Sequence, residues 1–93
     1  MNREGRKGIS ELLGELLEER GINPEKLSYV TNIPTRFITA LLGGNFKELP
    51  AKPYVRGYLI KIAVVLGIEE EVIMEAYRES TEIRSSGGKD RLP

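Results

Sequence analysis

Apolar residues recur along most of this chain at the spacing of a helix rather than that of a strand. Ile9, Leu12, Leu13, Leu16 and Leu17 fall at i, i+3, i+4, i+7 and i+8, which puts all five on one helical face. Ser10 is placed to cap the start, and Gly21 to take the left-handed conformation at the end. Gly14 costs roughly 1 kcal/mol of helix propensity relative to alanine, which predicts close packing at that point. Asn23-Pro24-Glu25 opens a second helix with a capping side chain, a proline in the first turn and an acid beside it. Leu27 and Val30 supply its short apolar stripe. Pro34 disfavours helical geometry at Ile33 and has no N–H to donate, so one apolar stretch is split in two. The second helix ends near Thr31 and a third starts at Pro34. Phe37, Ile38, Leu41 and Leu42 form its apolar side, Thr35, Arg36 and Thr39 its polar side, and Gly43-Gly44-Asn45 stops it.

Residues 46–53 read as an ordered connection anchored by Phe46 and Leu49. A fourth helix runs from Pro53 to Leu66, with Gly67 as terminator. Val55, Leu59, Ile62 and Leu66 make one stripe; Tyr54, Tyr58, Lys61 and Val65 make a second beside it. Glu69-Glu70-Glu71 opens a fifth helix with negative charge at its positive dipole end, and Val72, Ile73, Ala76 and Tyr77 are expected to face inward. The resulting expectation is an all-α, compact five-helix bundle containing a helix-turn-helix at 9–79. A flexible arm at 1–8 precedes it, and a disordered, Ser- and Gly-rich tail or linker at 80–93 follows.

Charge changes this picture locally rather than globally. Fourteen basic residues balance fourteen acidic ones, so no net field draws the chain toward polyanions. Residues 33–66, however, carry Arg36, Lys47, Lys52, Arg56 and Lys61 against Glu48 alone, and the flanking segments are acidic. Cysteine and histidine are absent, which removes disulfides, the usual soft metal ligands and the commonest general base. No run approaches the roughly 18 apolar residues of a membrane span, and no signal peptide is evident. A cytoplasmic location is expected. Glu18-Glu19 and Glu69-Glu70-Glu71 have no base or nucleophile near them in sequence and read as solvated charge. No enzymatic activity, cofactor or metal is expected.

The chemistry therefore lies in binding. A short helix, a three- or four-residue turn and a second helix with outward polar residues match the geometry that places a helix in the major groove of DNA. Thr35, Arg36 and Thr39 are the candidate base readers, and of these only Arg36 can make a bidentate guanine contact. Asn45 and Lys47 can hold phosphate, as can the backbone N–H groups at the helix start by Asn23. The same pattern also suits a helix that completes a bundle with a solvated polar face, so spacing leaves both readings open.

Particular segments resemble a known family. They are Leu16-Leu17-Glu18-Glu19-Arg20-Gly21-Ile22, Thr31-Asn32-Ile33, Phe37-Ile38-Thr39-Ala40-Leu41 and, most specifically, Gly44-Asn45-Phe46-Lys47-Glu48-Leu49-Pro50-Ala51, followed by Tyr54-Val55-Arg56-Gly57-Tyr58-Leu59 and Leu66-Gly67-Ile68. Together, over residues 9–77, they resemble the N-terminal cytoplasmic domain of the RodZ bacterial cell-shape proteins, a branch of the Xre/Cro-like, lambda-repressor-like helix-turn-helix superfamily. The resemblance implies docking to a protein partner, the actin-like filament protein MreB, through an aromatic pair at the start of the fourth helix. Tyr54 and Tyr58 stand at those positions. Spaced i, i+4, they share a face, and Lys52, Arg56 and Lys61 can steer an acidic partner. The partner-binding set is thus Tyr54, Tyr58, Arg56 and Lys61. The alternative is sequence-specific binding of duplex DNA through helix 3, as a dimer. RodZ proteins continue into a membrane helix and a periplasmic domain, so the chain is either the cytoplasmic part of a membrane-anchored protein or a stand-alone relative, the latter favouring the DNA-binding reading. Leu42 stands where the family usually has a polar residue. With Ile60, Val64 and Val65 it points to extra apolar surface and a possible homodimer, although burial of Leu42 in the core is the simpler explanation.

Overall fold

The structure, a computed structural model, describes the backbone of residues 7–90 and side chains from Lys7 to Thr81. The arm at 1–6 and the last three residues of the expected tail lie outside the described residues. Within them the chain forms α1 (Ile9–Arg20), α2 (Pro24–Thr31), α3 (Thr35–Gly43), a 3-10 turn (Phe46–Glu48), α4 (Lys52–Leu66) and α5 (Glu70–Asp90), and no strand. The fold is all-α, with the helix-turn-helix formed by α2 and α3.

Each break in the chain has a local cause. Asn23 accepts a hydrogen bond from the Lys26 N–H at 2.8 Å, and Pro24 occupies the first turn of α2. α1, α3 and α4 end on left-handed glycines, Gly21, Gly44 and Gly67. α2 ends instead on Asn32, at φ 66°, a conformation that asparagine tolerates better than most side chains. Pro34 then sits at the N-cap of α3 with an extended ψ of 136°. The turn is thus set by Asn32 as well as by the proline.

Five helices share one core. Ile9 and Leu13 of α1, Leu27 of α2, Ile38 of α3, Leu59 and Ile62 of α4 and Ile73 of α5 are fully buried within it. Fully burying such a side chain is worth about 1.5–3 kcal/mol, so the core is the principal source of stability. Leu42, Phe46 and Leu49 are partly buried and pack against its edge, so Leu42 lies between the two expectations for it.

Helix C-termini leave carbonyl groups without helical partners, and here side chains from other helices meet three of them. The Lys61 ammonium of α4 donates to the Thr31 carbonyl at the end of α2 at 3.3 Å. The Ser10 hydroxyl of α1 donates to the Leu41 carbonyl in α3 at 2.8 Å. The Arg20 guanidinium of α1 donates to the Leu66 carbonyl at the end of α4 at 3.0 Å.

Several expectations are corrected by this packing. Ser10 does not cap α1, because Gly8 holds the N-cap position and the serine hydroxyl is turned to α3 instead. Gly14 has nothing within 4 Å of where a Cβ would stand among the described residues, so no close approach requires it. Val30 is 45% exposed. Thr31 takes the inward position of α2, its hydroxyl satisfied by the Leu27 carbonyl at 2.7 Å. Val72 is 46% exposed, since Ile73, Ala76 and Tyr77 already fill the inner face of α5. The chain was expected to leave the domain as a tail at Ser80, but α5 runs to Asp90. Ser80 itself is tied to the bundle, accepting from the Ile9 N–H at 2.9 Å and donating to the Ala76 carbonyl at 3.2 Å. Gly8 makes this possible: a Cβ there would meet the Ser80 hydroxyl oxygen at 2.6 Å.

Candidate interaction surfaces on the helix-turn-helix

The α2–α3 turn is rigidly specified. The Ser28 hydroxyl donates to the Ile33 carbonyl at 2.6 Å, and the Asn32 N–H donates to the Ser28 carbonyl at 2.8 Å. On this base α3 exposes Arg36 and Thr39, while Thr35 is half-buried. Neither exposed residue is idle. The Arg36 guanidinium carbon lies 4.7 Å above the centre of the Phe37 ring, a cation–π arrangement. The Thr39 hydroxyl is directed at its own helix, 3.2 Å from the Thr35 carbonyl and 3.1 Å from that of Arg36. Asn45 and Lys47 are exposed in and beside the 3-10 turn that follows α3. At the start of α2, the Asn23 side chain already occupies one of the N–H groups offered to a phosphate.

On α4 the two tyrosines differ. Tyr54 is 63% exposed. Tyr58 is half-buried and stacks on Phe37, with ring centres 5.7 Å apart and planes at 27°. Arg36, Phe37 and Tyr58 therefore form one continuous stack that joins α3 to α4. Beyond it α4 exposes Val64 (74%) and Val65 (39%). With Val30, Ile60 and Lys61 they line a shallow depression of about 370 Å³. Val30 is expected from the sequence on the inner stripe of α2, and Tyr29, 83% exposed, has no expected role there. The signal was present in Thr31, which lies i+4 from Leu27 and so claims the inner face ahead of its neighbours.

The four residues expected to bind a partner are not brought together. Arg56 is two positions from Tyr58, a rotation of roughly 200° around the helix. It lines a separate groove between α4 and α5 with Lys52, Met74, Tyr77 and Arg78. Lys61 lies nearer the tyrosine side, but its ammonium is engaged by the end of α2. Burial raises the Tyr77 hydroxyl above the usual phenol pKa. At the other end of the chain, a hydrogen bond to Glu15 and that residue's charge raise the Lys7 pKa.

A short inner helix, a three-residue turn and an outer helix with exposed polar residues are thus in place. A helix-turn-helix domain family matches residues 15–73, from α1 into the first turn of α5. The chain belongs to that helix-turn-helix family. It is also similar, at 31% identity over 55 residues, to the uncharacterized membrane protein YmfM of Bacillus subtilis; the match covers 59% of this chain and 19% of that relative. No solved structure matches. No helix of the described residues is long and apolar enough to cross a membrane.

Proposed function

We propose that this helix-turn-helix domain is a non-enzymatic docking module of the RodZ cytoplasmic type, binding a protein partner such as the actin-like MreB filament through α4. The observation that carries this reading is the outward face of α4. Tyr54 projects into solvent beside the Tyr58–Phe37 stack, and Val64 and Val65 continue the apolar surface along the same helix. Exposed aromatic residues next to a rigid neighbour give large contact area at small entropy cost, as at protein interfaces. The likeness to a membrane protein supports placing the domain on the cytoplasmic side of a membrane-anchored protein.

A second reading has its own support: Arg36 and Thr39 are exposed together on α3, with Asn45 and Lys47 following. In it the domain is an Xre-type regulator that binds duplex DNA as a dimer. One experiment separates the two. Co-sedimentation with MreB filaments falls at least about tenfold in Tyr54→Ala and is unchanged in Arg36→Ala if α4 docks the partner. Duplex binding that is abolished by Arg36→Ala, with no filament binding, overturns the first reading in favour of the second.

A further inference from the structure

The α4–α5 hairpin carries a groove that the tyrosine face leaves unused. Only residues 67–69 separate the two helices, so α5 turns back along α4 and its later turns lie beside the start of α4. Lys52, Pro53 and Arg56 form one wall, Arg78 and Thr81 the other, and Leu59, Met74 and Tyr77 lie between them, enclosing about 590 Å³. The groove is held open by packing. Leu59 is fully buried, and Tyr77 is braced by an edge-to-face contact with Phe46 of the 3-10 turn, ring centres 5.9 Å apart. Three cations therefore stand around an apolar floor, and among the described residues no carboxylate lines it. Glu75 reaches Arg78 at 3.1 Å, but both partners are about half exposed, and water and salt weaken such a pair.

We propose that this groove binds an acidic amphipathic segment of a partner protein. An apolar side chain of that segment lies over Met74 and Tyr77, and flanking carboxylates meet Lys52, Arg56 and Arg78. Charge complementarity and shape together choose this occupant. The volume lies in the range of pockets that enclose a few side chains, and a concave apolar floor takes a protruding side chain as helix-in-groove complexes do. A bilayer is flat and would leave the floor empty, and a DNA duplex presents a convex phosphate ridge with no apolar anchor. The chain's own ends are poor occupants: residues 1–6 carry Arg3 and Arg6 against Glu4, and residues 82–93 carry Arg84, Lys89 and Arg91 against Glu82 and Asp90. The site is independent of the proposed α4 tyrosine contact, which lies on the other side of that helix.

The two methionines of the chain, Met1 and Met74, give a direct test by NMR of methyl-labelled methionine. Three synthetic peptides of about 15 residues, long enough to form helix on binding, share leucine anchors and carry Glu, Gln or Lys flanks. The Glu peptide is expected to shift the Met74 signal saturably and leave Met1 in place, with the Gln peptide weaker and the Lys peptide inactive. The double variant Lys52→Glu with Arg56→Glu weakens the Glu peptide at least about tenfold, and Tyr54→Ala leaves it unchanged. Should the double variant fail to fold, the wild-type chain still decides: its affinity for the Glu peptide falls with added salt, and its affinity for the Gln peptide does not. The proposal is overturned if the Glu peptide leaves Met74 unmoved at about 1 mM, or if the Lys peptide binds as tightly. It is equally overturned if salt affects the Glu and Gln peptides alike, or if phosphatidylglycerol vesicles or duplex DNA shift Met74 where the Glu peptide does not.

Discussion

Tyr54 and Tyr58 differ at the scale of a single side chain, although they stand four residues apart on one helical face. Tyr58 loses contact with water on one face and stacks on Phe37; such a ring pair is worth about 0.5–1.5 kcal/mol beyond its burial. Tyr54 makes no comparable ring contact among the described residues and is mostly exposed. Tyr58→Ala is therefore expected to lower stability by about 2 kcal/mol, and Tyr54→Ala by less than about 0.5 kcal/mol, with urea midpoints as the measure. Equal losses for the two would show that the stack contributes nothing. This asymmetry makes Tyr54 the cleaner probe of partner binding, since a loss of binding in Tyr58→Ala mixes contact with folding. Tyr77 gives a second residue-scale prediction. Burial raises its pKa in the folded state above the ordinary phenol value, so the unfolded chain gives up that proton first as pH rises. The contribution is complete below the ordinary phenol pKa and is lost as pH rises through the elevated folded one. Lys7, raised by its hydrogen bond to Glu15, acts in the same direction from an exposed position where solvent screens the effect. Stability measured by urea unfolding should decline on the alkaline side, less steeply in Tyr77→Phe; an unchanged decline in that variant would remove Tyr77 as a cause.

Helix ends are where sequence and structure part company. The element pattern was legible because its signals are local: Asn23-Pro24 at one start, glycines at three ends, Pro34 at the turn, and apolar residues at helical spacing. The all-α fold and its five helices follow from these. What was not legible depends on which end of one helix meets another. Ser10 has the composition and position of an N-cap, yet its hydroxyl closes α3. Lys61 has the exposure of a steering charge, yet it closes α2. Val30 and Val72 are apolar and near the right phase, but Thr31 and Ile73, one position on, take the inward places. Arg56 and Tyr58 are neighbours in sequence, and the helical turn between them assigns each to a different surface. For Ser10 the two roles make opposite predictions. As an N-cap, aspartate would be as good as serine or better. Against the Leu41 carbonyl, a carboxylate supplies no donor and opposes a second oxygen. Ser10→Asp is expected to destabilise by about 1 kcal/mol, the net worth of the lost bond, since the Leu41 carbonyl keeps only its 3.4 Å bond from the Gly44 N–H, despite the favourable place of an acid in a first helical turn. A neutral or stabilising Ser10→Asp in thermal unfolding would show that the bond from Ser10 to α3 contributes nothing.

At the scale of the whole molecule, the distribution of charge bears on which partner the domain takes. Net charge is zero, and the five cations of residues 33–66 are dispersed by the fold. Lys52 and Arg56 line the α4–α5 groove, and Lys61 holds the end of α2. Arg36 and Lys47 remain for a DNA backbone approached by α3, and Arg36 already rests on Phe37. Each phosphate neutralised contributes about −0.9 to the slope of log affinity against log salt. Two cations then give a slope near −2 per domain, where tight repressors reach about −10. Duplex binding measured by fluorescence anisotropy across a salt series should be weak, with a slope no steeper than about −2 per domain. A slope near −5, lost in Arg36→Ala, would mean that α3 gathers phosphate contacts beyond those its own cations supply. The α4 reading would then have to yield to the DNA-binding one. With the shallow slope, electrostatics supplies little of the energy of binding to DNA, and the apolar and aromatic face of α4 outweighs α3 as a surface with the area to hold a partner.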